Sequence, residues 1–110
     1  MASIKKETEC SDDCPIKITA NLIEGKWTTL VVRELLPGKK RYSEIQRALT
    51  GISPKVLTTR LRMLEQHQII TRTVYPTIPP ATEYALTNLG KKLEAVLNAM
   101  AMFGNELKKR

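Results

Sequence analysis

A mainly helical α+β fold is what this sequence predicts, and three observations carry the prediction. Leu57, Leu61 and Leu64 form an i, i+4, i+7 stripe just after Ser53-Pro54, which reads as a capped amphipathic helix. Residues 69–74 and 83–86 read as strands of a hairpin whose tip carries Pro76, Pro79 and Pro80. Leu86, Leu89, Leu93, Val96, Met100, Phe103 and Leu107 alternate spacings of three and four, the pattern of a long terminal helix with a coiled-coil-like seam.

Each element has a local reason. Residues 1–12 are polar and are expected to form an arm, with residues 13–110 expected to form a single domain. Cys14-Pro15 opens a first helix, because proline suits the first helical turn, and the helix ends between Leu22 and Gly25. Trp27, Leu30, Val31 and Leu35 recur through a second helix, which Pro37-Gly38 stops. Arg41-Tyr42 is a short extended piece, and Ser43 is placed to cap a third helix bearing Ile45 and Leu49. Thr50-Gly51 makes the turn into the fourth helix, the one with the leucine stripe. Thr87 or Asn88 then caps the terminal helix, residues 87–110. Helix, turn and basic helix followed by a stiff two-stranded hairpin is the layout of a winged helix-turn-helix.

Composition is consistent with one small domain. The 110 residues are 42% hydrophobic, enough for a core, but a domain of this size gains from a partner chain. No apolar run is long enough to span a bilayer and no signal-type leader is visible, so a cytoplasmic protein without membrane contact is expected. The formal net charge is +7, and it is uneven. Residues 38–72 hold eight basic and two acidic residues, whereas the first thirteen hold two basic and four acidic ones. A basic stretch that coincides with a helix-turn-helix pattern points to double-stranded DNA.

The helical period separates the two faces of the fourth helix. With the leucines turned inward, Lys55, Thr59 and Arg62 turn outward, and Thr58 and Met63 flank them. Arginine and lysine donate to guanine O6 and N7, and a threonine methyl fits the thymine methyl, so Lys55, Thr58, Thr59 and Arg62 are the expected base readers. Arg41, Ser43, Ser53 and Arg72 are expected at phosphates. The wing tip from Thr77 onward lacks a basic residue and is expected to position more than specify. Arg60 lies beside the leucine stripe, facing either DNA or an acidic neighbour, while Trp27 and Tyr84 read as core.

These residues resemble the HxlR-type winged-helix regulators of bacteria and archaea, a branch near the MarR group. The matching motifs are Cys14-Pro15, Gly25-Lys26-Trp27, Arg41-Tyr42-Ser43-Glu44-Ile45, Gly51-Ile52-Ser53-Pro54-Lys55 and the run from Leu57 through Glu65. The wing adds Val74-Tyr75-Pro76-Thr77-Ile78-Pro79-Pro80 and Glu83-Tyr84-Ala85-Leu86-Thr87-Asn88-Leu89-Gly90. The resemblance covers nearly everything after residue 13 and implies a homodimeric transcription regulator joined through its terminal helices. It also implies a response to oxidants or electrophiles at Cys14, the cysteine before the first helix. Glu24 and Phe103 depart from the usual glycine and tryptophan of relatives. Cys10 is the only other cysteine, where cross-linking relatives often carry a second one further along the chain.

Other chemistries find little support. Two cysteines and the single His67 cannot supply four zinc ligands, so no metal or cofactor is expected. No Cys-x-x-Cys motif, phosphate loop or nucleophile–base pair points to an enzyme. Control by a noncovalent ligand, and nonspecific architectural DNA binding, stay open beside the redox-responsive regulator.

Overall fold

The computed structural model describes residues 13–110. The order is α1 (Pro15–Leu22), α2 (Lys26–Leu35), β1 (Lys40–Arg41), α3 (Tyr42–Ala48), α4 (Pro54–Gln66), β2 (Ile70–Tyr75), β3 (Ala81–Leu86), α5 (Asn88–Lys91) and α6 (Leu93–Lys108). The winged helix-turn-helix class is therefore present, with α3 and α4 as the helix pair and β2–β3 as the wing.

The core sits between α2, α4 and the sheet. Val31, Val32 and Leu35 of α2 meet Leu57, Leu61 and Leu64 of α4, with Ile45, Leu49, Ile52, Ile69, Ile70, Tyr84 and Leu93 closing around them. The leucine stripe faces inward as its spacing requires. Trp27 packs half-buried against this cluster with the Lys26 ammonium 4.4 Å from its ring centre.

Four local expectations are extended or corrected. The sheet has three strands, ordered β1-β3-β2, because Lys40 and Arg41 pair antiparallel with Tyr84 and Glu83. Arg41, not Ser43, holds the N-cap position of α3: the Glu44 carboxylate accepts the Arg41 backbone N–H at 2.7 Å, so the helix starts two residues earlier and Ser43 lies inside it. Strand β2 begins at Ile70 because Ile69 closes the end of α4. Its N–H bonds to the Leu64 carbonyl at 2.9 Å, and Gln68 takes the left-handed conformation, φ 61°.

The fourth correction concerns the terminal helix, which is interrupted at Lys92. The Lys92 amide bonds three residues back to Leu89, a tighter turn than the α-helical repeat. Just before it, Gly90 lies so close to the sheet that a Cβ there would overlap the Ile69 carbonyl oxygen. Thr87 anchors the same corner: its hydroxyl donates to the Gln68 carbonyl at 2.7 Å and accepts the Gly90 N–H at 3.0 Å. Helix α5 is thus seated by tertiary contact, and α6 begins after the tight turn at Lys92.

Candidate nucleic-acid interface

Ser53 sets the start of α4 as its sequence predicts. Its hydroxyl accepts the Val56 N–H at 3.1 Å, and Pro54 occupies the first helical turn. The turn before it places Gly51 at φ 94°, a conformation glycine adopts without strain. Tyr42 then fixes the angle between α3 and α4, because its hydroxyl lies 3.3 Å from both the Pro54 carbonyl and Thr58 Oγ1. Sequence reasoning gave Tyr42 no such role; it placed Tyr42 in the short extended piece ahead of the helix, whereas Tyr42 is the first residue of α3.

On α4, Lys55, Thr59 and Arg62 are exposed, and Thr58 is set back beneath Tyr42 with its hydroxyl engaged. The Thr59 hydroxyl donates to the Lys55 carbonyl at 2.8 Å, which turns its methyl outward along the helix surface. Among the described residues Arg41, Lys55 and Arg62 enter no ion pair, whereas Lys39 pairs with Glu83 and Lys40 with Glu34. The cations left without a carboxylate therefore include two on the outward face of α4.

The remaining predicted residues gather in two places. Arg41, Ser43 and Thr77 line a recess of about 630 Å³ where the wing tip approaches the start of α3. Thr58, Arg62 and Arg72 border a smaller one of about 280 Å³, together with Glu65, Thr82 and Tyr84. Ser53, Lys55 and Thr59 stand on the open surface of α4 outside both. The wing tip is internally braced: the Thr77 hydroxyl donates to the Pro79 carbonyl at 2.7 Å, and the Thr77 N–H donates to the Tyr75 carbonyl at 2.8 Å. Ile78 is fully exposed at its apex.

Two tyrosines frame the wing. Tyr75 donates to the Glu83 carboxylate at 2.8 Å, and that acceptor holds its phenol above the ordinary value of 10.0. Tyr84 is core, as predicted, and burial pushes its phenol upward while the neighbouring Arg72 opposes the shift.

Cys14 lies elsewhere, at the N-cap of α1, and is buried with 6% of its surface exposed. Cys10 falls outside the described residues. Among the described residues no cluster of three or more His, Cys, Asp or Glu side chains is arranged to hold a metal ion, and no helix is long and apolar enough to cross a membrane.

The HxlR-like helix-turn-helix family pattern matches residues 22–110, which spans both α4 and the wing. The chain belongs to the HxlR-like helix-turn-helix family. A helix-turn-helix transcriptional regulator of Synechocystis sp. is 48% identical over 93 residues, covering 84% of this chain and 69% of that protein. A MarR-family transcriptional regulator from Porphyromonas gingivalis W83 superposes with a TM-score of 0.83 at 36% identity, over 87% of this chain and 94% of that one. The redox regulator HypR in its oxidized form superposes with a TM-score of 0.78 at 38% identity, over 84% and 96%. Like these relatives, this chain is a transcriptional regulator built on a helix-turn-helix and not an enzyme.

Proposed function

We propose that this HxlR-like regulator binds specific double-stranded DNA as a homodimer, with α4 in the major groove and the wing along the flanking backbone. The carrying observation is the split of α4: Leu57, Leu61 and Leu64 are buried while Lys55, Thr59 and Arg62 stand exposed, both cations free of carboxylates among the described residues. In this reading Lys55, Thr59 and Arg62 meet base edges, Thr58 contributes only its methyl, and Arg41, Ser43, Ser53 and Arg72 meet phosphates. Thr77 sets the height of the wing over the backbone.

A second copy supplies the partner for the terminal helix. Leu89, Met100, Met102, Phe103 and Leu107 are all exposed, and so are Ile16 and Ile18 of α1. An apolar surface of this kind is unfavourable in water and favours self-association. The structural relative HypR is named a redox regulator, and we assign the corresponding response here to Cys14. A buried thiol meets an oxidant only when its cover opens, so the response is gated by exposure of the start of α1.

Fluorescence anisotropy on DNA from upstream of the protein's own gene tests the reading, with excess nonspecific competitor present. Tight binding that survives competitor is expected; equal affinity for every sequence would make the protein architectural. Mild diamide treatment should alter binding by the wild type and leave Cys14→Ser unaffected. An oxidant response retained in that variant would remove Cys14 from the mechanism.

A further inference from the structure

The apex of the wing is apolar, fixed in shape and uncovered, and neither the core nor the outward face of α4 makes use of it. Residues 73–82 carry no charged side chain, in a chain whose formal net charge is +7. Ile78 is fully exposed at the apex, and Val74 and Tyr75 below it are exposed too. Strands β2 and β3 pair from Ile70 and Leu86 out to Tyr75 and Ala81, a ladder that reaches about 20 Å at about 3.3 Å per residue. Strand β1 pairs only with Tyr84 and Glu83, so from Thr82 outward the wing is a bare two-stranded hairpin.

Such a hairpin presents a side chain in a set position only if its tip is fixed. Pro76, Pro79 and Pro80 lock their own φ angles. The Thr77 hydroxyl and N–H close onto the Pro79 and Tyr75 carbonyls. Ile78 is therefore held out from the body, and in water it forgoes the stabilisation that burial of a large aliphatic side chain supplies.

Two kinds of partner offer that burial. A stable protein interface buries about 1,200 Å² or more, whereas the apex offers one aliphatic side chain among prolines. A minor groove is about 6 Å wide and takes a single apolar side chain as a wedge between base steps. The charge arrangement also fits the groove. Arg41, which enters no ion pair among the described residues, lines the recess at the foot of the tip with Ser43 and Thr77. A cation set back from an apolar apex meets phosphates on the groove rim while the apex goes in.

We propose that Ile78 enters the minor groove beside the α4 contact as an apolar wedge, partly unstacking one base step and bending the duplex. The bound site then favours a step that unstacks easily, pyrimidine followed by purine, at a position where no side chain reads a base edge. The wedge rests on the DNA-binding reading above, since it acts on the duplex that α4 holds.

The probe is duplex DNA retained by the wild type from a random-sequence pool. A fluorophore at each end reads the bend by energy transfer, and 2-aminopurine at the flanking steps reads unstacking. The wild type should bend the duplex by about 20–90° and raise 2-aminopurine fluorescence at one flanking step. Ile78 is fully exposed, so its replacement leaves the fold intact. Ile78→Ala should straighten the duplex, abolish the fluorescence rise and weaken binding about tenfold, the size of one large aliphatic contact. Ile78→Phe, a wedge of another shape, should keep both signals. Replacing the flanking pyrimidine–purine step by a stiff A-tract should weaken the wild type and leave Ile78→Ala indifferent. A duplex that the wild type binds straight, or a bend and fluorescence unchanged in Ile78→Ala, would overturn the wedge and leave DNA binding by α4 standing. A pool from which nothing is retained would overturn the DNA-binding reading and the wedge with it.

Discussion

Helices α4 and α6 are both amphipathic, yet what they leave exposed is opposite in chemistry. On α4 the apolar side chains are spent on the core and the outward face is Lys55, Thr59 and Arg62. On α6 only Leu93 is buried, while Met100, Met102, Phe103 and Leu107 extend past the core into solvent. Periodicity is the same in the two helices, so it cannot say what each one meets. The residual surface can: charge without a counter-charge suits a polyanion, and apolar area without cover suits another protein surface. The two contacts should also respond differently to salt, since electrostatic contacts are screened and apolar ones are not.

The contrast is broken most completely at what the two helices share. Leu61→Ala empties the core beneath α4 and should cost about 2–5 kcal/mol, read from the urea midpoint. A midpoint that did not move would mean that α4 is not seated on the common core. Phe103, 66% exposed, tests the other side. Phe103→Asp should weaken self-association by about 1.5–3 kcal/mol, the worth of burying one large apolar side chain. Sedimentation should then find monomers at concentrations where the proposed wild-type dimer forms, with chain stability little changed; an undisturbed dimer would place the interface elsewhere.

Arg62→Ala sharpens the α4 half. The loss expected is about 1–3 kcal/mol of discrimination at a single base position, measured against a panel of operator variants. A uniform loss across the panel would reassign Arg62 to a phosphate. Over the same salt series DNA affinity should fall steeply while self-association stays nearly level. Ser53→Ala removes the cap of α4 and should lower stability by about 1 kcal/mol, visible as a small fall in Tm.

The smallest effect belongs to Tyr84, whose phenol is raised above 10.0 by burial. Unfolding lets it ionise at the ordinary value. Its contribution is therefore complete below that value and is lost as pH rises through the folded one. Tyr84→Phe should lessen the fall in urea midpoint between about pH 9 and about pH 11; an unaltered fall would exclude Tyr84 as a source of it.

Much of the candidate interface was legible in the sequence. The inward leucines and the outward Lys55, Thr59 and Arg62 follow from one helical period, and Ser53 caps the helix it was expected to cap. Thr58 was less legible: it flanks the outward face, but only the fold shows Tyr42 bonded to its hydroxyl from sixteen residues away. The grouping of Arg41, Ser43 and Thr77 around one recess likewise depends on where the wing folds back.

By itself the sequence determined the features that a few neighbouring residues decide. These are the proline-started α1, the Ser53 cap, the buried stripe of α4 and the two wing strands. Their hydrogen bonds and side-chain periods close within a turn or across one hairpin. Tertiary structure alone decided the pairing of Lys40 with Tyr84, the break at Lys92 beside the Gly90–Ile69 contact, and the enclosure of Arg60 under Gly25. Each of these joins groups far apart in the chain, and a local pattern carries no information about which distant backbone or cleft a residue will meet.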